Sequence, residues 1–121
     1  MALPDLNSPT KVEGKNVLLQ EVPTTATGVL TNSNGSNATL RLSSIYVSNI
    51  DGSTSSDITA YIVDGSSVTG YIASTISVPS DAALMTITKD SNIYLMEDNT
   101  LYLQASSSGD LSCIISYEDI T

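Results

Sequence analysis

Histidine, tryptophan and phenylalanine are absent from this 121-residue chain, and cysteine occurs only once. Without histidine the chain cannot build the Ser–His or Cys–His pairs that activate nucleophiles, and it lacks the commonest transition-metal ligand. A single cysteine, Cys113, excludes an intramolecular disulfide. Because Cys113 lies in the apolar run 111–115, we predict that it is a buried core residue and not a reactive thiol.

Positive charge is also scarce. The chain has four basic and 13 acidic residues, which give a net charge of −9. The basic residues are scattered along the chain, at Lys11, Lys15, Arg41 and Lys89. Proteins that neutralise nucleic-acid phosphates need clustered lysine and arginine, so we expect no nucleic-acid partner.

Long hydrophobic runs are missing too. No segment approaches the roughly 20 apolar residues that a transmembrane helix needs, so we expect no membrane partner. The start MALPD has neither the basic lead nor the apolar run of a signal peptide. We therefore expect synthesis in a reducing cytoplasm.

The residues that are present favour β-structure. Isoleucine, leucine, valine and alanine make up most of the 40% apolar fraction, and only 14% of the residues are charged, so serine, threonine and asparagine must supply the polar surface. Short alternating segments separated by turn residues predict an all-β fold with eight or nine strands. The expected architecture is an antiparallel two-sheet β-sandwich, of which the jelly roll is one form. The strand order does not follow from the sequence.

The central feature of this prediction is a hairpin across residues 38–63, which consists of a strand, a turn and a return strand. Leu40 and Leu42 share one face of an extended segment, whereas the apolar residues at 45 and 47 have the opposite parity. A bulge at residues 43–44 would restore a single buried face. In the return strand, Ile58, Ala60 and Ile62 form the predicted core face.

The remaining segments are assigned from the same patterns. Strands are predicted at 16–22, 27–31, 69–78, 82–88, 93–95, 101–105 and 111–117. Turns are predicted at 32–37, with Asn34-Gly35 as the strongest hairpin signal, and at 64–67, 79–81, 89–92, 97–99 and 106–110. Residues 1–14 are predicted to be an extended N-terminal arm that lies on a neighbouring subunit, and residues 15–121 the sandwich domain with a polar tail at 118–121.

No constellation of reactive residues stands out. Acidic turns were considered as calcium sites (Asp51 with Asp57, Asp64, and Glu97 with Asp98), but none matches an EF-hand loop, and turn geometry explains them. Glycoside hydrolysis needs two positioned acids in a cleft, whereas these acids lie in predicted turns. The prediction is therefore no catalytic, cofactor-binding or metal-binding residues, and no enzyme activity.

The aromatic residues leave two interpretations open. All six are tyrosines, at positions 46, 61, 71, 94, 102 and 117. They could be half-buried strand residues with their hydroxyl groups at the rim of the core, or they could form a platform for carbohydrate.

Four segments resemble small all-β virion structural proteins of tailed bacteriophages, especially marine cyanophages. They are IYVSNIDG at 45–52, ASTISVP at 73–79, IYLMED at 93–98 and SYEDI at 116–120. The resemblance covers roughly residues 29–120. It implies an all-β protein present in many copies, without cofactor or enzyme activity, in the head, neck, tail or fibres.

From the resemblance and the composition we expect a virion structural protein, made in the host cytoplasm and carried in the virion. The expected role is an external capsid decoration or accessory component. It would form a homo-oligomer, with a trimer as one option, and contact other virion proteins. The alternative is a neck, tail or fibre-associated module that binds host-surface glycans.

Overall fold

The computed structural model describes residues 4–87 and 93–121, and these ranges form strands and turns without a helix. The described residues accordingly include no helix that could span a membrane. The strands are β1 (Val12–Leu19), β2 (Thr27–Thr31), β3 (Thr39–Asn49), β4 (Ser56–Val63), β5 (Thr69–Val78), β6 (Ala83–Ile87), β7 (Ile93–Leu95), β8 (Thr100–Ala105) and β9 (Leu111–Ile120). The predicted turn at 89–92 and the first three residues of the predicted arm lie outside the described residues.

The strands form two antiparallel sheets that enclose one core. Sheet A has the order β1-β9-β3-β6, with β7 also pairing with β3, and sheet B has the order β2-β8-β4-β5. The predicted all-β, two-sheet antiparallel sandwich is confirmed.

The strand order follows from one long hairpin that is rolled up. The strands β4 and β5 form its tip, and moving away from the tip β3 pairs with β6 and β7, β2 with β8, and β1 with β9. Rolling this ribbon brings β9 against β3 and β8 against β4, which closes the two sheets. This winding is that of a jelly roll.

The prediction of a hairpin across residues 38–63 is wrong. The strand β3 belongs to sheet A and β4 to sheet B, so the connection between them crosses from one sheet to the other. The turn at Asn34-Gly35 does form, with Gly35 at a φ of 84°, but it also connects strands of different sheets. Alternation reveals which side chains face the core, whereas it does not specify which strand supplies the hydrogen bonds.

The predicted bulge at residues 43–44 is confirmed. The register between β3 and β9 shifts between Leu42 and Ser44, so that Leu42 and Ile45 are both buried although their parity differs. A second bulge was not foreseen. The register between β3 and β6 shifts between Ile45 and Tyr46, which leaves Met85 exposed and Ile87 buried although the two are only two residues apart.

Both chain ends are more structured than the sequence indicated. The strand β1 begins at Val12, inside the predicted arm, because it pairs with the last residues of β9 up to Ile120. The sandwich therefore begins at residue 12 instead of 15, and the predicted polar tail belongs to sheet A. The Thr121 carbonyl accepts hydrogen bonds from the backbone amides of Thr10 (2.7 Å) and Lys11 (3.1 Å).

The core is the apolar space between the sheets. Sheet A contributes Leu42, Ile45, Val47, Ile87, Leu111, Cys113 and Ile115, and sheet B contributes Ile58, Ala60, Val78, Leu101, Leu103 and Ala105. Ile62 is half-buried and packs against this cluster, on the face predicted for it. The expected burial of Cys113 is confirmed.

Two buried asparagines hold connections between the sheets. The Asn32 side-chain amide donates to the carbonyl oxygens of Ala38 and Leu95, each at 2.9 Å. The Asn49 side-chain amide donates to the carbonyl oxygens of Thr54 (3.0 Å) and Val78 (2.9 Å). Both amides thereby provide hydrogen-bond partners for backbone carbonyls at strand ends or in the loops between strands.

Candidate functional site

The outer face of sheet A carries a row of four exposed apolar side chains, one from each of the strands β1, β9, β3 and β6. Leu18 in β1 pairs with Ile114 in β9, Ile114 pairs with Tyr46 in β3, and Tyr46 pairs with Met85 in β6. Their exposed fractions are 71%, 46%, 42% and 45% in that order. Single exposed apolar residues are ordinary, whereas a continuous row across four strands is a candidate interaction surface.

The two rows that flank these residues carry no charge. On one side lie Asn16, Ser116 and Ser44, and on the other Ser112, Ser48 and Ala83. The nearest charged pair is Arg41 with Glu118, whose side chains form an ion pair at 3.2 Å. We call these three rows the sheet A patch.

Sequence reasoning missed the sheet A patch, although β9 carried a signal for it. Ile114 stands between Cys113 and Ile115, both of which are buried. A half-buried strand needs apolar residues at every second position only, so consecutive apolar residues indicate that both faces are covered. Here the outer face of sheet A is uncovered in the described chain.

The outer face of sheet B carries an aromatic row. Tyr61 in β4 pairs with Tyr102 in β8 and with Tyr71 in β5. The rings of Tyr61 and Tyr102 are stacked, with centroids 5.2 Å apart and an interplanar angle of 7°, and the Tyr71 ring lies 5.2 Å from Tyr61 at 48°. At the other end Gly28 pairs with Tyr102, where any larger side chain would meet the Tyr102 ring.

A hollow of about 140 Å³ lies beside this aromatic row. Asp57, Thr59, Thr75, Gln104 and Ser106 line it with polar groups. Thr59 and Gln104 are directly paired, two residues along β4 and β8 from Tyr61 and Tyr102. The hollow and the aromatic row therefore belong to one continuous surface.

Three of the six tyrosines, Tyr61, Tyr71 and Tyr102, therefore lie side by side on sheet B, and the other three lie elsewhere. Tyr46 lies on the opposite face of the sandwich, in the sheet A patch. Tyr117 is partly buried and packs against the core. Tyr94 lies in β7 of sheet A, where it pairs with Arg41 in β3. Periodicity alone could not separate these groups, since it does not assign strands to sheets.

The acidic turns serve the backbone of their own loops. The Asp51 carboxylate accepts hydrogen bonds from the hydroxyl of Thr54 and from the backbone and hydroxyl of Ser53, and these bonds lower the pKa of Asp51. Asp64 accepts bonds from the amides of Ser66 and Val68, both at 2.9 Å. Among the described residues, no group of three or more histidine, cysteine or acidic side chains could hold a metal ion.

Glu97 is an exception, because its side chain is only 7% exposed. Its Oε1 accepts a hydrogen bond of 2.6 Å from the amide of Gly35, which joins the loop after β7 to the loop after β2. Its Oε2 is buried without a hydrogen-bond partner in the described chain. The bond from Gly35 to Glu97 links two loops that are far apart in sequence, a role that was not predicted for Glu97.

The thiol of Cys113 is unreactive at neutral pH. Burial raises the pKa of its thiol to about 12, so the reactive thiolate is scarce at neutral pH. It lies between Leu19 and Val47 in the neighbouring strands, where it fills space in the core.

Comparison with known proteins adds no relatives. No protein-family model matches the chain, and a search of curated proteins finds no match.

Proposed function

We propose that this chain is a structural protein of a bacteriophage virion, an external capsid decoration or accessory component whose copies pack through the sheet A patch. The observation that carries the proposal is the continuous apolar row of Leu18, Ile114, Tyr46 and Met85 between two rows without charge. The resemblance of the sequence to phage structural proteins supports a location in the virion. By analogy, jelly rolls are a frequent fold of viral capsid proteins.

We infer that the partner is a second copy, because an uncharged patch is where two molecules of the same charge can approach most easily. Each molecule carries a net charge of −9, so two copies repel one another in most orientations. The repulsion is smallest where the approaching surfaces hold no charge of their own. The sheet A patch combines that property with exposed apolar area, which association removes from water.

The size of the patch sets the strength of the contact. Four strands about 4.8 Å apart and three rows about 7 Å apart cover roughly 400 Å². A stable interface usually buries about 800 Å² on each partner. One patch-to-patch contact is therefore weak, and it becomes effective where many copies are arrayed on a particle and several contacts act together.

The N-terminal segment is the second assembly element that we propose. Residues 4–9 precede β1, and Leu6 is 50% exposed. On a neighbouring copy this segment would add to the area that the sheet A patch provides. Since β1 begins at Val12, a truncation that tests it must stop at residue 9.

Sedimentation of the purified chain over a range of concentrations tests the self-association. We expect the average mass to rise with concentration, and Ile114→Arg to abolish the rise because it places a charge in the centre of the sheet A patch. Val68→Arg is the matched control, since Val68 is 64% exposed but lies outside the patch. Removal of residues 1–9 should lower the mass while the fold is retained. If Ile114→Arg associates like the unchanged chain, the patch is not the interface.

The virion setting needs its own test. Antibodies against the chain, applied to purified particles of the virus that encodes it, should label the outside of intact particles. Mass spectrometry of the same particles should find the chain in many copies. Particles that lack it would overturn the proposed location, whatever the result of the sedimentation experiment.

A further inference from the structure

We propose that the outer face of sheet B binds a neutral oligosaccharide, with Tyr71 and Tyr61 contacting one sugar unit and the adjacent hollow holding the next. This inference goes beyond the structural role and does not depend on it, because it uses the opposite face of the sandwich. It rests on the juxtaposition of an aromatic row with a hollow lined by hydroxyl, amide and carboxylate groups.

The hollow originates in the backbone of β5. Ile58 pairs with Ile76 and Ala60 with Ala73, so that β5 uses an extra residue between these pairs. Thr75 adopts a φ of 47° within this bulge, and its amide donates to the Thr59 hydroxyl at 3.0 Å instead of to a strand partner. Bulges of this kind redirect side chains and are frequent beside binding sites.

Several polar groups in the hollow remain available to a ligand. The Gln104 amide nitrogen donates to the carbonyl of Thr24 at 2.9 Å, which fixes the side chain and leaves its oxygen free to accept. The Thr59 oxygen accepts from Thr75, so its hydroxyl proton can be donated. Within the described chain, no hydrogen bond reaches the Asp57 carboxylate. Donors and acceptors of this mixture suit the hydroxyl groups of a sugar.

The aromatic row supplies the apolar half of the site. Tyr71 is 63% exposed and belongs to β5, the edge strand of sheet B, so no strand of the described chain covers its far side. Thr59 and Gln104 lie two residues from the tyrosine pair, a distance of about 7 Å along the strands. A ligand of two or more sugar units can therefore contact both parts at once.

Size and charge narrow the ligand class. The volume of about 140 Å³ is below the roughly 300 Å³ at which pockets for drug-sized molecules begin, so only one unit fits the hollow. The Asp57 carboxylate and the net charge of −9 disfavour phosphates and acidic sugars. Among the described residues, Asp57 is the one acid that lines the hollow, whereas glycoside hydrolysis requires two, so the surface is suited to binding and not to cleavage.

The test is a glycan array probed with the labelled full chain, followed by NMR titration of the best neutral oligosaccharide. We expect binding to neutral glycans, with amide shifts confined to β4, β5 and β8. Tyr71→Ala and Asp57→Asn should each weaken it about tenfold or more, because the first removes the exposed ring and the second replaces a carboxylate acceptor in the hollow with an amide donor. Tyr46→Ala is the matched control: it removes an exposed tyrosine from sheet A and should leave sugar affinity unchanged.

Three results would overturn the proposal. One is the absence of binding to every neutral glycan, both on the array and at millimolar ligand in the NMR titration. Another is affinity that survives the double variant of Tyr71→Ala and Asp57→Asn. The third is a preference for phosphorylated or acidic ligands. Thermal unfolding of each variant identifies any loss that comes from misfolding, and in that case Tyr71→Leu and Asp57→Ser replace the first pair.

Discussion

The two outer faces of the sandwich differ far more than its two inner faces. Inside, both sheets present the same aliphatic side chains to one core. Outside, sheet A presents an apolar row between uncharged rows, whereas sheet B presents stacked tyrosines beside a polar hollow. The inward positions therefore satisfy the fold and leave the outward positions free to differ. We propose a surface for sibling chains on sheet A and a surface for a polar ligand on sheet B.

Bulges contribute to the difference in opposite ways. In sheet A the bulge at Ser43–Ser44 keeps Leu42 and Ile45 on the same inner face, and the outer rows remain continuous. In sheet B the bulge at Thr75 opens the outer face and creates the hollow. The same local irregularity preserves a flat surface in one sheet and breaks it in the other.

The largest difference in stability between an inner and an outer position should come from two neighbouring isoleucines in β9. Ile115→Ala removes a side chain that is 0% exposed, and we expect a loss of about 2–5 kcal/mol in the free energy of unfolding. Ile114→Ala truncates a side chain that is 46% exposed, and the loss should be below about 1 kcal/mol. Urea denaturation monitored by circular dichroism measures both values.

The same pair also distinguishes stability from assembly. Ile114→Ala should reduce the concentration-dependent mass in sedimentation although it hardly affects unfolding. Equal destabilisation by the two variants would mean that the outer side of β9 is covered within the single chain, and the sheet A patch would then be unavailable to another copy.

The buried face of most strands could be predicted from the sequence, whereas the bulge in β6 and the pairing of the strands could not. Alternation identified Ile58 and Ala60 as inward residues, and opposite parity located the bulge at Ser43–Ser44. The crossing from β3 to β4 and the long-range pair of β1 with β9 depend on contacts between residues far apart in sequence. Local patterns carry no information about these contacts, which is why the predicted central hairpin was wrong.

For the candidate sites, the sequence indicated the type of residue involved but not which residues come together. Tyrosine was recognised as the residue from which a platform could be built. Only the register of β4, β5 and β8 selects Tyr61, Tyr71 and Tyr102 from the six. The hollow depends on a positive φ at Thr75, a residue type that gives no hint of that conformation.

Substitutions of one glycine in each sheet should reveal a smaller difference in stability between sheet A and sheet B. A Cβ at Gly28 would lie 2.9 Å from the Thr100 methyl and 3.6 Å from the Tyr102 ring, whereas at Gly14 it would meet nothing within 4 Å. Gly28→Val should therefore displace the aromatic row and destabilise the fold by about 1–3 kcal/mol, with a change in the near-ultraviolet circular dichroism of tyrosine. Gly14→Val, in β1 of sheet A, is the control and should leave that spectrum unchanged. A normal tyrosine spectrum for Gly28→Val would mean that β2 does not hold the row in place.

Salt should produce the smallest effect, and it acts on the two faces differently. Between about 0.01 M and 0.1 M salt the screening length falls from about 30 Å to 10 Å, which weakens the repulsion between molecules of net charge −9. Because the sheet A patch has no ion pairs to lose at its centre, self-association should strengthen severalfold over this range. Binding of a neutral sugar to sheet B should stay constant, since the ligand carries no charge for salt to screen. Sedimentation and NMR titration at the two salt concentrations measure these responses. Weaker association in salt would indicate that ion pairs, such as those of Arg41 or Lys15, hold the copies together in place of the apolar row.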